Sequence, residues 1–220
     1  MLGAAFAQIL ATALMVVLFK QHNYAVGAGL AKSEAVVAAL LGSLFFGSTL
    51  SPTGWVGVFI GGAAVLILSG FNLKTLSVKT ACLGIACGAA FAMASLCVRE
   101  AALATEIPFP LGPAYVLLSV IMLQTAFLTL YIALFERTTF LKMWLHRKLV
   151  TSVGITSCIG SIGWFSAMSL QQVAYVKTLG QLEIFFMLGI SIFWLKKPIK
   201  KNDFLGLCLI ALAAILVMLT

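Results

Sequence analysis

Charge is what this sequence has least of. Lys, Arg, Asp and Glu make up 9% of its 220 residues, and only six of them are acidic. A soluble domain carries about 25% charged residues, so this chain cannot cover a water-facing surface. Histidine occurs twice, at His22 and His146, both between apolar runs, which leaves no metal-ligand cluster. The five cysteines (Cys82, Cys87, Cys97, Cys158, Cys208) form no CxxC pair and sit in or at the ends of apolar runs, where a thiol packs as a small hydrophobe. No nucleotide-binding loop, HExxH or Ser-His-Asp set occurs. The stretches between apolar runs are too short for a soluble catalytic domain. These absences argue against an enzyme and imply no cofactor.

What is present is apolar: 62% of residues are hydrophobic. A bilayer core of about 30 Å needs ~20 mostly apolar residues per spanning helix. The runs do not alternate as barrel strands would. The sequence predicts an all-α, multi-span bundle of about eight transmembrane helices, at 2–19, 24–46, 54–71, 80–98, 113–135, 150–170, 173–195 and 204–220. Its partner is then the lipid bilayer. The net charge of +8 is not a nucleic-acid footprint, because the basic residues lie in short loops between spans.

The chain repeats itself at an offset of 149 residues, the separation of Glu34 from Glu183. Without a gap, Ala25 falls on Ala174, Leu30 on Leu179, Gly57 on Gly206 and Ala64 on Ala213. The Glu-to-Gly spacing is 23 residues in both copies. Five crossings separate the second and seventh spans, so the copies are expected to run in opposite directions. Inverted-topology repeats are a signature of transporters, whose substrate sites lie near the bilayer midplane between the repeats. Loop charge agrees. The loops after the odd-numbered spans hold eleven Lys and Arg residues, and those after the even-numbered spans hold only Arg99. Basic loops mark the cytoplasmic side.

The stretches YAVGAGLAKSEAVVAALLGSLFFGSTLSPTGWVGVFIGGAAVLILS and AYVKTLGQLEIFFMLGISIFWLKKPIKKNDFLGLCLIALAAILVML carry a resemblance. They resemble the last two helices of each five-helix unit of the drug/metabolite transporter superfamily, EamA-domain type. The resemblance implies two inverted units around a central cavity, a small-molecule substrate moved by alternating access, and a seat in a bacterial cytoplasmic membrane. It leaves room for a homodimer. Many members carry a Gly-Glu pair at the end of the penultimate helix; here those positions hold Gly47-Ser48 and Lys196-Lys197. Residues 1–71 read as the last three helices of a first unit and 80–220 as a complete second unit. A ten-helix arrangement would then lack its first two helices. On that reading the chain is expected to be transport-inactive alone, or to need a partner.

Lys32, Glu34, Lys177 and Glu183 are charges inside predicted spans, each costing roughly 2.5–3.5 kcal/mol at a helix centre. Such residues face a cavity or a partner. They are expected to line a substrate or coupling pathway, with cross-pairing such as Glu34 to Lys177 as the structural alternative. On a continuous helix Lys32 and Glu34 would lie about 200° apart, and so on different faces. Gln181 shares a face with Lys177. Gln124 in the fifth span, Trp164 and Tyr175 are further pathway candidates, with packing or interface anchoring as the plainer role of the aromatics.

Overall fold

The computed structural model describes residues 1–20, 31–68, 77–186, 189 and 201–220, the side chains of 201–203 excepted. The start of the expected second span, the break near Asn72, the end of the seventh span and the basic loop beginning at Lys196 lie wholly or partly outside the described residues. Among these residues every element is helical and no strand occurs. The helices are α1 (Leu2–Phe19), α2 (Glu34–Phe45), α3 (Pro52–Leu68), α4 (Val78–Leu103), α5 (Leu111–Phe135), α6 (Thr138–Leu145), α7 (Arg147–Leu170), α8 (Val173–Gly180) and α9 (Lys201–Met218).

Four of them, α1, α4, α5 and α7, are long and apolar enough to cross a membrane. Three shorter apolar helices accompany them: α2, α3 and the Phe204–Met218 part of α9. Four is fewer than the eight expected, and part of the reason is local. Two of the expected spans are interrupted. Ala31 is helical, Lys32 and Ser33 form a turn, and α2 begins at Glu34. Likewise α8 stops at Gly180, and Gln181 and Leu182 form a turn before Glu183. The interruptions lie 149 residues apart. Around the second, Gln181, Leu182, Ile184 and Phe185 each donate to the carbonyl three residues back. This is the tighter 3₁₀ pattern, which inside a longer helix often marks a hinge.

The helix ends follow from their residues. Ser51 caps α3: its Oγ accepts the Gly54 N–H at 2.9 Å, and Pro52 fills the first helical position, where no N–H is needed. Ser77 caps α4 through the Thr80 N–H at 3.1 Å. Pro108 and Pro110 separate α4 from α5, since proline cannot continue a helix interior. Gln171 and Gln172, which lie between the expected spans 150–170 and 173–195, form the link between α7 and α8. Arg99 donates to the carbonyls of Met168 and Gln171 there, satisfying the otherwise orphaned end of α7.

Two groups of helices meet across the interrupted elements. One apolar cluster joins α1, α2, α4, α5, α7 and α8 through Ala4, Ala38, Leu96, Val116, Phe165 and Val176. A second joins α2, α3, α8 and α9 through Ala39, Val58, Tyr175 and Val217. Both clusters are rich in small residues, so backbones approach closely. Cys87 Sγ lies 3.4 Å from the Ala11 carbonyl, and a Cβ on Gly3 would sit 3.5 Å from Cys97 Sγ; α1 and α4 therefore run antiparallel. The α3–α9 pair is also antiparallel: a Cβ on Gly57 would meet Val217 Cγ2 at 2.8 Å, and one on Gly206 would run into Leu68. Gly57 is matched to Gly206, and Leu68 to Val217, by the 149-residue offset. The two contacts are thus reciprocal.

Large apolar side chains such as Phe6, Leu44, Phe135, Ile159 and Leu212 are exposed around the outside. Apolar exposure on this scale is unlike that of a soluble monomer and suits a hydrocarbon solvent.

Candidate functional site

Glu34 is the first residue of α2, and Lys177 lies in the last turn of α8. A carboxylate is favoured at a helix N-terminus and an ammonium at a C-terminus, because the unpaired peptide groups there carry partial charges of opposite sign. The two ends face each other, with Lys177 Nζ 3.2 Å from Glu34 Oε1. Lys177 Nζ also stands 4.6 Å from the centre of the Trp164 ring on α7, within cation–π range. A second ion pair joins Lys32 to Glu183, so each interrupted span supplies one acid and one base. The side chains of the first pair are 11% and 16% exposed, and those of the second 39% and 44%.

All four charges line one cavity of about 280 Å³, together with Met15, Phe19, Phe91 and Trp164. Lys32 and Glu34 reach it together, although on a continuous helix they would diverge. The turn at Lys32-Ser33 resets the helical phase, which corrects the expectation that they occupy different faces. A second cavity of about 120 Å³ continues past Phe91, Trp164 and Lys177 to Gln8, Ser95 and Ser161. These three shared residues form the partition between the two spaces.

Glycines let the chain pass this point. A Cβ on Gly88 of α4 would come within 2.8 Å of Ser33 Oγ and 3.1 Å of the Ala31 carbonyl. A Cβ on Gly61 of α3 would come within 2.8 Å of Gln181 Oε1, and one on Gly180 would strike the Trp164 ring. Both turns are therefore held against glycine backbones.

The other candidates lie elsewhere. Gln181 is 2% exposed, packed toward Gly61 and absent from the cavity lining. Gln124 donates to Gln8 Oε1 at 3.1 Å, and both line a groove of about 700 Å³ between α1 and α5 with Thr12 and Tyr131. This groove shares Gln8 with the second cavity. Tyr175 is turned away from the ion pairs, and its hydroxyl accepts the Ser51 N–H at 2.9 Å. Tyr175→Phe leaves that N–H without its partner. It is expected to lower stability by about 1–3 kcal/mol, read as a lower melting temperature, without changing ligand response at the cavity. An unchanged melting temperature would show that the contact contributes nothing. Phe91 and Met15 are cavity residues that the sequence reading missed, because apolar residues inside spans carry no distinguishing signal.

No protein-family model matches this chain, and no curated protein is significantly similar to it. A solved crystal structure of a protein is similar in fold, with a TM-score of 0.75 at 17% identity, over 99% of this chain and 74% of that one. At this identity the likeness bears on the fold alone.

Proposed function

We propose that this chain is a multi-pass membrane transporter of the drug/metabolite type, moving a small organic molecule by alternating access through the Lys–Glu cavity. The observation that carries the reading is the convergence of four charges from two interrupted helices on one cavity with aromatic walls. Intramembrane charges are costly enough to mark a pathway when they face a cavity. In transporters, substrate sites form where discontinuous helices expose their ends. The reciprocal α3–α9 contacts and the matched turns support inverted repeats. The second cavity beyond Trp164 supports a route rather than a closed pocket. No covalent step is involved.

A second reading is favoured by one observation. The 149-residue offset matches α1 to α7. Ala4, Ala5 and Ala11 of α1 are fully buried. Their mates on α7 are Val153, 54% exposed, and Gly154 and Gly160, whose added Cβ atoms would meet nothing within 4 Å. In this reading a further helix must cover α7 before the cavity can work in transport. Proteoliposome uptake combined with ligand-dependent thermal stabilisation, run on a panel of small metabolites, separates the two. Saturable uptake means that the chain suffices. Stabilisation that depends on Glu34 and Lys177, without uptake, means that a covering helix is required. Neither response to any compound would overturn the transporter reading.

Orientation follows from loop charge. The basic loops are placed in the cytoplasm, and the expected eight-span arrangement would then put both termini on the other side. A C-terminal reporter that works only in the cytoplasm should stay silent; strong signal would reverse the assignment.

A further inference from the structure

We infer that α6 and the start of α7 form a headgroup site for an anionic phospholipid. This rests on the chain lying in a bilayer, but not on its being a transporter. Helix α6 has eight residues and no buried side chain. At 1.5 Å per residue it is about 12 Å long, far too short to cross a membrane. It joins two helices of spanning length, so it sits at one membrane face. Thr138, Thr139 and Lys142 fall within an arc of about 100° on the helical projection. Phe140, Leu141, Met143, Trp144 and Leu145 fill the rest and are all exposed, Trp144 at 68% and Leu145 at 70%. A short helix with this division is suited to the plane of the interface, apolar side down.

The polar chemistry around it is one-sided. Residues 136–148 hold Arg137, Lys142, Arg147 and Lys148 against a single acid, Glu136. That acid is engaged by the Thr139 hydroxyl at 3.2 Å. Trp144, Arg147, Lys148, Thr151 and Ser152 line a groove of about 620 Å³. The Arg147 guanidinium is held 5.6 Å from the centre of the Trp144 ring, which orients its donor fork. Among the described residues Lys148 has no ion-pair partner. A phosphodiester matches these donors: a guanidinium grips it with two parallel hydrogen bonds, and the ammonium and hydroxyls supply more. A zwitterionic headgroup would bring its own cation beside Arg147 and Lys148, which line the groove. Leu145 and Leu149, 70% and 64% exposed, flank the groove. The fitting ligand therefore carries acyl chains as well as a phosphate, which selects a lipid over free phosphate.

The test uses the full chain in nanodiscs of phosphatidylcholine with a minority of phosphatidylglycerol. The protein is then extracted in mild detergent and its retained lipid is counted by native mass spectrometry. The wild type should retain phosphatidylglycerol at roughly fivefold or more over the bulk ratio, the scale set by interfacial cations. Arg147→Gln with Lys148→Gln should return the ratio to bulk while helicity and melting temperature hold. Lys20→Gln should keep the enrichment, and Lys148→Arg should preserve it. Millimolar inorganic phosphate should not displace the lipid. Four outcomes would overturn the site: bulk-ratio retention by the wild type, wild-type enrichment in the double variant, displacement by free phosphate, or a lipid-independent dimer cross-linked through α6.

Discussion

Glu34→Lys alone is expected to abolish the folded protein, and adding Lys177→Glu is expected to restore it. The single change puts three cations around the cavity with only Glu183 to balance them. Lys177 and Glu34 are 11% and 16% exposed, so water screens them poorly. Breaking a pair of this kind costs about 3–5 kcal/mol, because the surviving charge stays buried and unpaired. That is a large share of the 5–15 kcal/mol that holds a typical protein together. The double variant rebuilds one Lys–Glu pair with reversed sense. Recovery should be incomplete, since each charge would then sit at the unfavourable end of its helix. Neutralising the more exposed partner, Glu183→Gln, should cost less stability yet still block transport if the cavity is the route. Monodispersity after extraction and melting temperature read out the first effect, and uptake the second. A folded Glu34→Lys protein, or a double variant no better than the single, would remove the pair from any structural role.

Gly57→Leu is expected to disrupt the bundle comparably, by sterics rather than charge. Even a methyl group at Gly206 would meet the Leu68 side chain, and one at Gly57 would lie 3.1 Å from the Ala213 carbonyl. Side chains can move aside, but the antiparallel α9 backbone cannot. Overpacking costs about 1–3 kcal/mol for modest additions, and a leucine adds four carbons. Gly206→Leu, whose obstacle is the Leu68 side chain alone, should act in the same direction but cost less. Gly163→Ala is the contrast, because its Cβ would meet nothing within 4 Å. It should be neutral or stabilising by up to about 1 kcal/mol, the helix-propensity gain of alanine over glycine. Equal effects at Gly57 and Gly163 would mean that α3 and α9 do not pack as described.

Much of this architecture can be read in the chain because hydropathy is decided by long runs. The expected spans at 2–19, 113–135 and 150–170 differ from α1, α5 and α7 by three residues or fewer at any end. Lysines, prolines and the Gln171-Gln172 pair terminate them. The repeat offset also located Glu34, Glu183, Gly57 and Gly206 from sequence alone. The helix interruptions were not legible, because a two-residue turn barely alters an averaged apolar window. The Lys-Ser-Glu triplet inside a span was their one visible trace. The Lys32–Glu183 pair was hidden for a different reason. The glutamates are matched by the offset, but the lysines are not: Lys32 falls on Gln181, and Lys177 on Ala28. Their pairing depends on tertiary placement. Helix α6 leaves little trace in the sequence because eight residues give barely two turns of periodicity.

The two acids and two bases of the cavity sum to zero, and that balance bears on voltage. Moving one elementary charge through the full membrane field involves about 2.3 kcal/mol per 100 mV. A bundle that rearranges around a neutral quartet shifts almost no net charge of its own. If the bundle transports as proposed, its cycle should therefore be indifferent to membrane potential except through the cargo. Currents recorded on solid-supported membranes would then scale with the cargo's charge and vanish for a neutral one.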